Sequence, residues 1–187
     1  FDLETQLSAD EVGGWHNAHL MKLALAITYE RRSDAFATWH EQDAEALIGR
    51  LAEAELVVGY NHKKFDYAVL IPYVPLDRDG VPIVDFRALP SLDLLEELAA
   101  ANGFRAKLAD VASATLGATK TADGLQSLQW WKEGKVDLIE EYCRMDVRLT
   151  AQLFDHALEH GHVLLDRRDQ GIVRIPLVLP VEEWLNI

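Results

Sequence analysis

The sequence predicts an α/β or α+β domain in which helices flank a mixed sheet. Three observations carry this. Short apolar segments with strand character fill the first third of the chain. Patterns of helical period interleave with them and then take over. No glycine-rich phosphate loop follows any strand, which counts against a doubly wound nucleotide-binding fold.

The elements follow in order. FDLET at the start reads as a strand, Leu20 to Tyr29 as a largely buried strand, and Ala35 to Trp39 as the strand after it. Gln42 to Glu55 places Ala44, Leu47, Ile48 and Leu51 at helical spacing. Leu56 to Asn61 is a short apolar run ending in turn residues, hence a buried strand. A helix is expected to start near Lys64, with Asp66 in its first turn and Val69 and Leu70 inward. Pro72 to Pro90 holds four of the six prolines and reads as an irregular connection around a short strand, Ile83 to Phe86. Asp93 to Asn102, Lys107 to Leu116 and Leu125 to Lys132 are helical and end at Gly103, Gly117 and Gly134. Val136 to His160 is the longest helical pattern and is closed by Gly161. The tail from His162 reads as two short strands or a hairpin.

At 187 residues the chain is most simply one domain, with the 49% hydrophobic and 26% charged content of a soluble globular protein. It begins with Phe inside an apparent strand, so upstream residues of that strand are expected to be missing. No apolar run approaches the ~20 residues that span a bilayer, and no signal peptide is visible. Cys143 is the single cysteine, which excludes an intrachain disulfide and a cysteine-based zinc site and fits a cytoplasmic location. The net charge of −13 argues against a basic, electrostatically driven nucleic-acid binder, unless bound cations neutralise part of it.

Acids stand in apolar surroundings at three places. Asp2 and Glu4, two residues apart on a strand, share one face. Two carboxylates that close repel unless one takes a proton or a cation lies between them. Asp66 follows the turn after the Leu56 to Asn61 strand. Asp146 lies in the long helix, with Tyr142 one turn before it on the same face. Leu138, Leu149 and Leu153 place that face toward the core. Four inward carboxylates and a phenol suit two hard cations ~4 Å apart, which clamp the attacking and leaving oxygens in phosphoryl chemistry.

Taken in order, FDLET, NHKKFD and YCRMD resemble the three motifs of the DEDD superfamily of 3′–5′ exonucleases, which have a ribonuclease H-like fold. The histidine subgroup would have His where Glu141 stands, so Tyr142 makes the chain similar to the tyrosine subgroup. Over most of its length, including LDLLEEL, ATLGATKTADGLQ and LQWWKEG, it is similar to bacterial exonucleases associated with DEAD/DEAH-box helicases. The resemblance implies a single exonuclease domain in which Asp2, Glu4, Asp66 and Asp146 hold two divalent ions, Mg²⁺ or Mn²⁺. Tyr142 would orient the attacking water, and nucleoside 5′-monophosphates would leave from a single-stranded 3′ end. It tilts the substrate toward DNA in repair or processing, with a helicase as partner and no membrane. Asn61 matches the family's Asn and either braces the strand end or contacts substrate.

Other residues have bland readings beside functional ones. Trp15 either stacks on a terminal base or anchors its loop. Lys63, Lys64, Lys120 and Arg144 are phosphate contacts or ordinary surface charge, with Lys120 on a loop that could bring it inward. Trp130 and Trp131 read as packing. Asp93 and Asp123, each three residues before Glu96 or Gln126, have capping-box spacing. His156 and His160, at i and i+4, could bind a metal, but with no third ligand nearby they read as an exposed helix face. Cys143 is expected to face away from the acids. Two further function classes stay open: a catalytically silent nuclease-fold adaptor that docks a helicase or other partner, and an endonuclease of the ribonuclease H or resolvase type.

Overall fold

A computed structural model describes residues 1–119, 124–167 and 170–181. β1 (Asp2–Thr5), β2 (Leu23–Glu30) and β3 (Ala35–His40) form an antiparallel meander, and β4 (Val57–Gly59) pairs in parallel with β5 (Ser91–Asp93). The Phe1 nitrogen donates to the Val58 carbonyl at 2.6 Å, which sets β1 beside β4. Helices α1 (Ala44–Ala52), α2 (Asp66–Leu70), α3 (Leu94–Asn102), α4 (Leu108–Leu116), α5 (Gly124–Lys132) and α6 (Val136–His160) surround these strands. The hairpin β6 (His162–Arg167) and β7 (Gly171–Pro176) follows, as the tail pattern predicts. Mixed strand pairing with flanking helices is the predicted fold class.

The two faces of the meander explain why β2 is apolar throughout. Leu25 and Ile27 pack on Ile139, Cys143 and Val147 of α6. Ala26, with Phe1 and Leu3 of β1, packs instead on Leu47, Ile48 and Leu51 of α1. Leu23 joins the α1 side although it is two residues from Leu25, because the pairing skips Ala24: Glu4 opposes Leu25 and Thr5 opposes Leu23. Such a bulge reverses the side of every residue beyond it. β1 therefore turns Phe1 and Leu3 to one core and leaves Asp2 and Glu4 on the face that α6 covers.

A third apolar cluster joins α3, α4, the β6–β7 hairpin and the second half of α6, through residues such as Leu98, Ala112, Leu153 and Val163. α6 thus bridges two cores, with its first half on β1–β2 and its second half on the hairpin. Asp93 caps α3 as its spacing predicts, accepting from the Leu95 and Glu96 amides at 3.0 and 3.4 Å. Asp123 lies outside the described residues.

Three expectations are corrected. Ile83 to Phe86 is not a strand; Phe86–Ala88 forms a 3-10 turn, and an isolated bridge joins Leu76 to Pro82. The strand predicted over Leu56 to Asn61 is only Val57–Gly59, because Asn61 takes left-handed backbone at φ 70 and ends it. Leu138 is exposed, since the buried stripe of α6 runs through Ile139, Cys143 and Val147 and leaves Tyr142 and Asp146 at its edge. Among the described residues no helix is long and apolar enough to cross a membrane.

Candidate active site

Strand pleating places the Asp2 and Glu4 side chains together, and two other elements bring the remaining acids to them. After β4 the chain turns through Asn61, and the Asp93 carboxylate gathers this turn. It accepts from the Asn61 amide at 2.8 Å and the Lys63 amide at 3.2 Å. Gly59 makes room for the turn, because a Cβ there would lie 2.7 Å from Nδ1 of the fully buried His62. The turn delivers Asp66, 2% exposed, at the first position of α2. Its Oδ1 accepts from the Leu3 amide at 3.2 Å, between Asp2 and Glu4 on β1.

α6 supplies the opposite wall. The Tyr142 hydroxyl faces Asp146, one turn away, and the tyrosine ring meets Trp130 of α5 edge-on at 6.3 Å between centroids. Cys143, expected to face away, is fully buried against the site: its Sγ donates to the Asp2 carbonyl at 3.5 Å and to Asp2 Oδ2 at 3.6 Å. A residue next to Tyr142 is rotated about 100° around the helix, which turns it straight down onto β1. Ser127 of α5, also fully buried, faces Glu4.

The electrostatics are those of crowded acids. Burial, and then Asp66, Glu4 and Asp146, hold the Asp2 carboxyl well above the usual carboxylate range. Burial pushes Glu4 up to about 8, with Ser127 opposing and the charges of Asp146 and Asp66 adding to it. Burial likewise raises Asp66 to about 7. Asp146 rises to about 6 through burial, against the Tyr142 hydrogen bond. Burial raises the Tyr142 and Cys143 pKa values too, so the phenol and thiol stay protonated donors at neutral pH. Among the described residues, no lysine or arginine forms an ion pair with any of the four acids.

The donor set fits divalent cations. Ligand atoms of Asp2, Glu4 and Cys143 lie within 4.8 Å of one another. With the thiol protonated, the available donors are carboxylate oxygens, which suit hard ions such as Mg²⁺ and Mn²⁺.

A pH prediction follows. Acids with raised folded pKa values hold protons that the unfolded chain has released, so metal-free stability falls as pH rises through those values. His62, lowered to about 3 by burial, is neutral when folded but about half protonated when unfolded near pH 6.5, so it opposes the fall at the lower edge of the window. Between about pH 6.5 and 8.5, unfolding free energy in EDTA should fall by on the order of 1–3 kcal/mol, and saturating Mn²⁺ should reverse the loss. Urea titrations at each pH check it; a flat or rising metal-free profile would contradict the packing of these acids.

Comparison with known families adds one result. A family model described as the RNase_H superfamily matches residues 1–158. The chain belongs to the RNase_H superfamily. No curated protein matches it. The matched span includes all five clustered residues, Asp2, Glu4, Asp66, Tyr142 and Asp146, and stops before the β6–β7 hairpin. Membership gives the coarse activity, that of a nuclease acting on nucleic acid, and divalent-metal use is typical of such enzymes.

Around the site of this RNase_H superfamily protein the other expected residues fall into place unevenly. The Asn61 side-chain carbonyl accepts from Arg105, which accords with the bracing reading and leaves substrate contact untested. Trp15 is 73% exposed and its ring meets that of Phe65, next to Asp66, at 5.8 Å. Lys64 is exposed on the same turn, while Lys63 reaches Glu96 at 3.5 Å. Lys120 lies outside the described residues. Arg144 is taken up by Glu140 at 2.6 Å and Thr38 at 3.1 Å, over the Phe36 ring, so the phosphate reading is not supported. Trp130 and Trp131 pack, as expected. Cys143, Ser127 and His62 carried no mark in the sequence. Only the helical rotation of Cys143 from Tyr142 could have flagged it; the docking of α5 that aims Ser127 is tertiary.

Proposed function

We propose that this RNase_H superfamily domain is a 3′–5′ exonuclease that hydrolyses single-stranded nucleic acid ends, DNA before RNA, and releases nucleoside 5′-monophosphates. The observation that carries the reading is the meeting of Asp2, Glu4, Asp66 and Asp146 with the Tyr142 hydroxyl, in the motif order of the tyrosine-type exonucleases. Two divalent ions held by the four carboxylates would polarise the scissile phosphodiester and lower the pKa of the attacking water.

The chain's own groups do the positioning. Tyr142, a neutral hydroxyl facing Asp146 and backed by Trp130, directs a water toward the phosphorus. Cys143 and the Leu3 amide fix the rotamers of Asp2 and Asp66 by donating to them. Trp15, beside Phe65, offers a face on which a terminal base stacks, and exposed Lys64 meets phosphate. The Asn61–Arg105 pair keeps the turn that carries Asp66 in shape. Docking to a DEAD/DEAH-box helicase belongs to the same proposal and rests on the wider sequence resemblance.

Purified protein with Mg²⁺ or Mn²⁺ on 5′-labelled single strands should give a ladder shortened from the 3′ end. Cleavage of closed circular DNA would point instead to an endonuclease. Absence of Mn²⁺ binding by calorimetry would favour the silent adaptor, which the charge of −13 suits through a basic partner. Tyr142→Phe should lower kcat by about 10–100-fold while leaving Mn²⁺ affinity unchanged. Full activity in that variant would remove the hydroxyl from the mechanism.

A further inference from the structure

The far end of α6 carries a second group of ligating side chains, beginning ten residues beyond Asp146. His156 and His160 stand one helical turn apart. Gly161, in left-handed backbone at φ 67, reverses the chain so that His162 opens β6 against the same two rings. This corrects the expectation of an exposed histidine pair without a third ligand. Ring centroids lie 4.4 Å apart for His156 and His160, 5.5 Å for His156 and His162, and 6.2 Å for His160 and His162. Three imidazoles around one ion at about 2.1 Å per nitrogen place their ring centres roughly 5 Å apart.

Two further observations point to a ligand rather than to simple ring packing. Nδ1 of His162 lies 2.9 Å from the His160 carbonyl, so it carries the proton and donates it. That leaves Nε2 with a free lone pair and a fixed ring, the support that imidazole ligands characteristically receive. His156 Nε2 is buried and has no hydrogen-bond partner, a costly state for a polar atom unless something fills it.

We propose that His156, His160 and His162 form a transition-metal site, for Zn²⁺ or a similar ion that favours imidazole, which pins the end of α6 to β6. Ligand atoms already within 4.8 Å of one another are found, among the described residues, at Asp2, Glu4 and Cys143. Closing the histidine site therefore takes movement of the His156 and His160 rings toward the held His162 ring, about side-chain torsions that are soft. The His160 side chain, 44% exposed, has room to turn, and Glu159 Oε2, 3.9 Å from its Nε2, adds negative charge beside the site. Mg²⁺ would not compete here, since it prefers oxygen.

The test is calorimetric titration of the full chain with ZnCl₂ in millimolar Mg²⁺, which occupies the carboxylates, alongside visible spectra with Co²⁺. One ion should bind with a Kd below about 10 μM, and His156→Ala and His160→Ala should each weaken it by at least about 10-fold. Asp146→Asn should leave it unchanged. Exposed His160 can be replaced without loss of fold, which circular dichroism verifies. Co²⁺ bound by wild type should show visible bands that disappear in His162→Gln. Zn²⁺ binding that is absent, or equal in wild type and the His156→Ala/His160→Ala variant, would overturn the site. So would binding lost in Asp146→Asn but kept in the histidine variants.

Discussion

Asp2→Asn is expected to slow hydrolysis of a single-stranded 3′ end by at least about 10³-fold, some 4 kcal/mol of barrier, while making the metal-free protein more stable. The two effects share one cause. Asp2 lies among Asp66, Glu4 and Asp146, each of which disfavours its charge. Asn has the same shape and keeps the backbone carbonyl that receives Cys143, so packing is retained while a group that is ionised in the unfolded chain but disfavoured as an anion in the metal-free fold is removed. Cation affinity and turnover fall together, and repulsion in the empty site falls too. A structural acid would behave otherwise, because its loss would lower stability. Initial rates on 5′-labelled strands and melting in EDTA separate the cases. Unchanged cleavage, or loss of activity together with stability, would defeat the assignment.

Asp93→Ala is expected to cost about 3–5 kcal/mol of stability and to weaken Mn²⁺ binding from outside the carboxylate cluster. Its side chain is fully buried and accepts from four amides: Asn61 at 2.8 Å, Lys63 at 3.2 Å, Leu95 at 3.0 Å and Glu96 at 3.4 Å. Alanine strands those donors and frees both the turn that carries Asp66 and the start of α3. Asp93→Asn keeps one acceptor but sets an amide N–H₂ against donors that need an oxygen, so an intermediate loss is expected. Urea unfolding and Mn²⁺ titration of the same variants read the two effects. A variant with native stability would show that the turn holds itself.

Much of this was legible in the chain because the signals are local. The Asp2–Glu4 pair follows from the two-residue period of a strand, the Tyr142–Asp146 pair from one helical turn, and α3 from the Asp93 cap and Gly103. What escaped depends on contacts between distant segments. β5 is only Ser91–Asp93, too short for a pattern of its own, and exists because β4 lies alongside. Ile83 to Phe86 has strand-like residues but no partner strand to pair with. Leu138 and Cys143 exchanged their expected sides because the core meets α6 on the Ile139–Cys143–Val147 stripe rather than through Leu138. His162 could not be counted with His156 and His160 until Gly161 turned the chain back.

Bridging two cores gives α6 a place in the order of folding. In synthesis Asp2 and Glu4 precede Asp66 by some sixty residues, and Asp146 follows eighty residues after that. Closing so long a loop is entropically unfavourable, and it brings one more negative charge to a patch that already repels it. A nascent chain therefore holds its acids on separate pieces, and the acidic cluster is complete only when α6 docks. The four acids meet only once α6 has been made and has docked on β1.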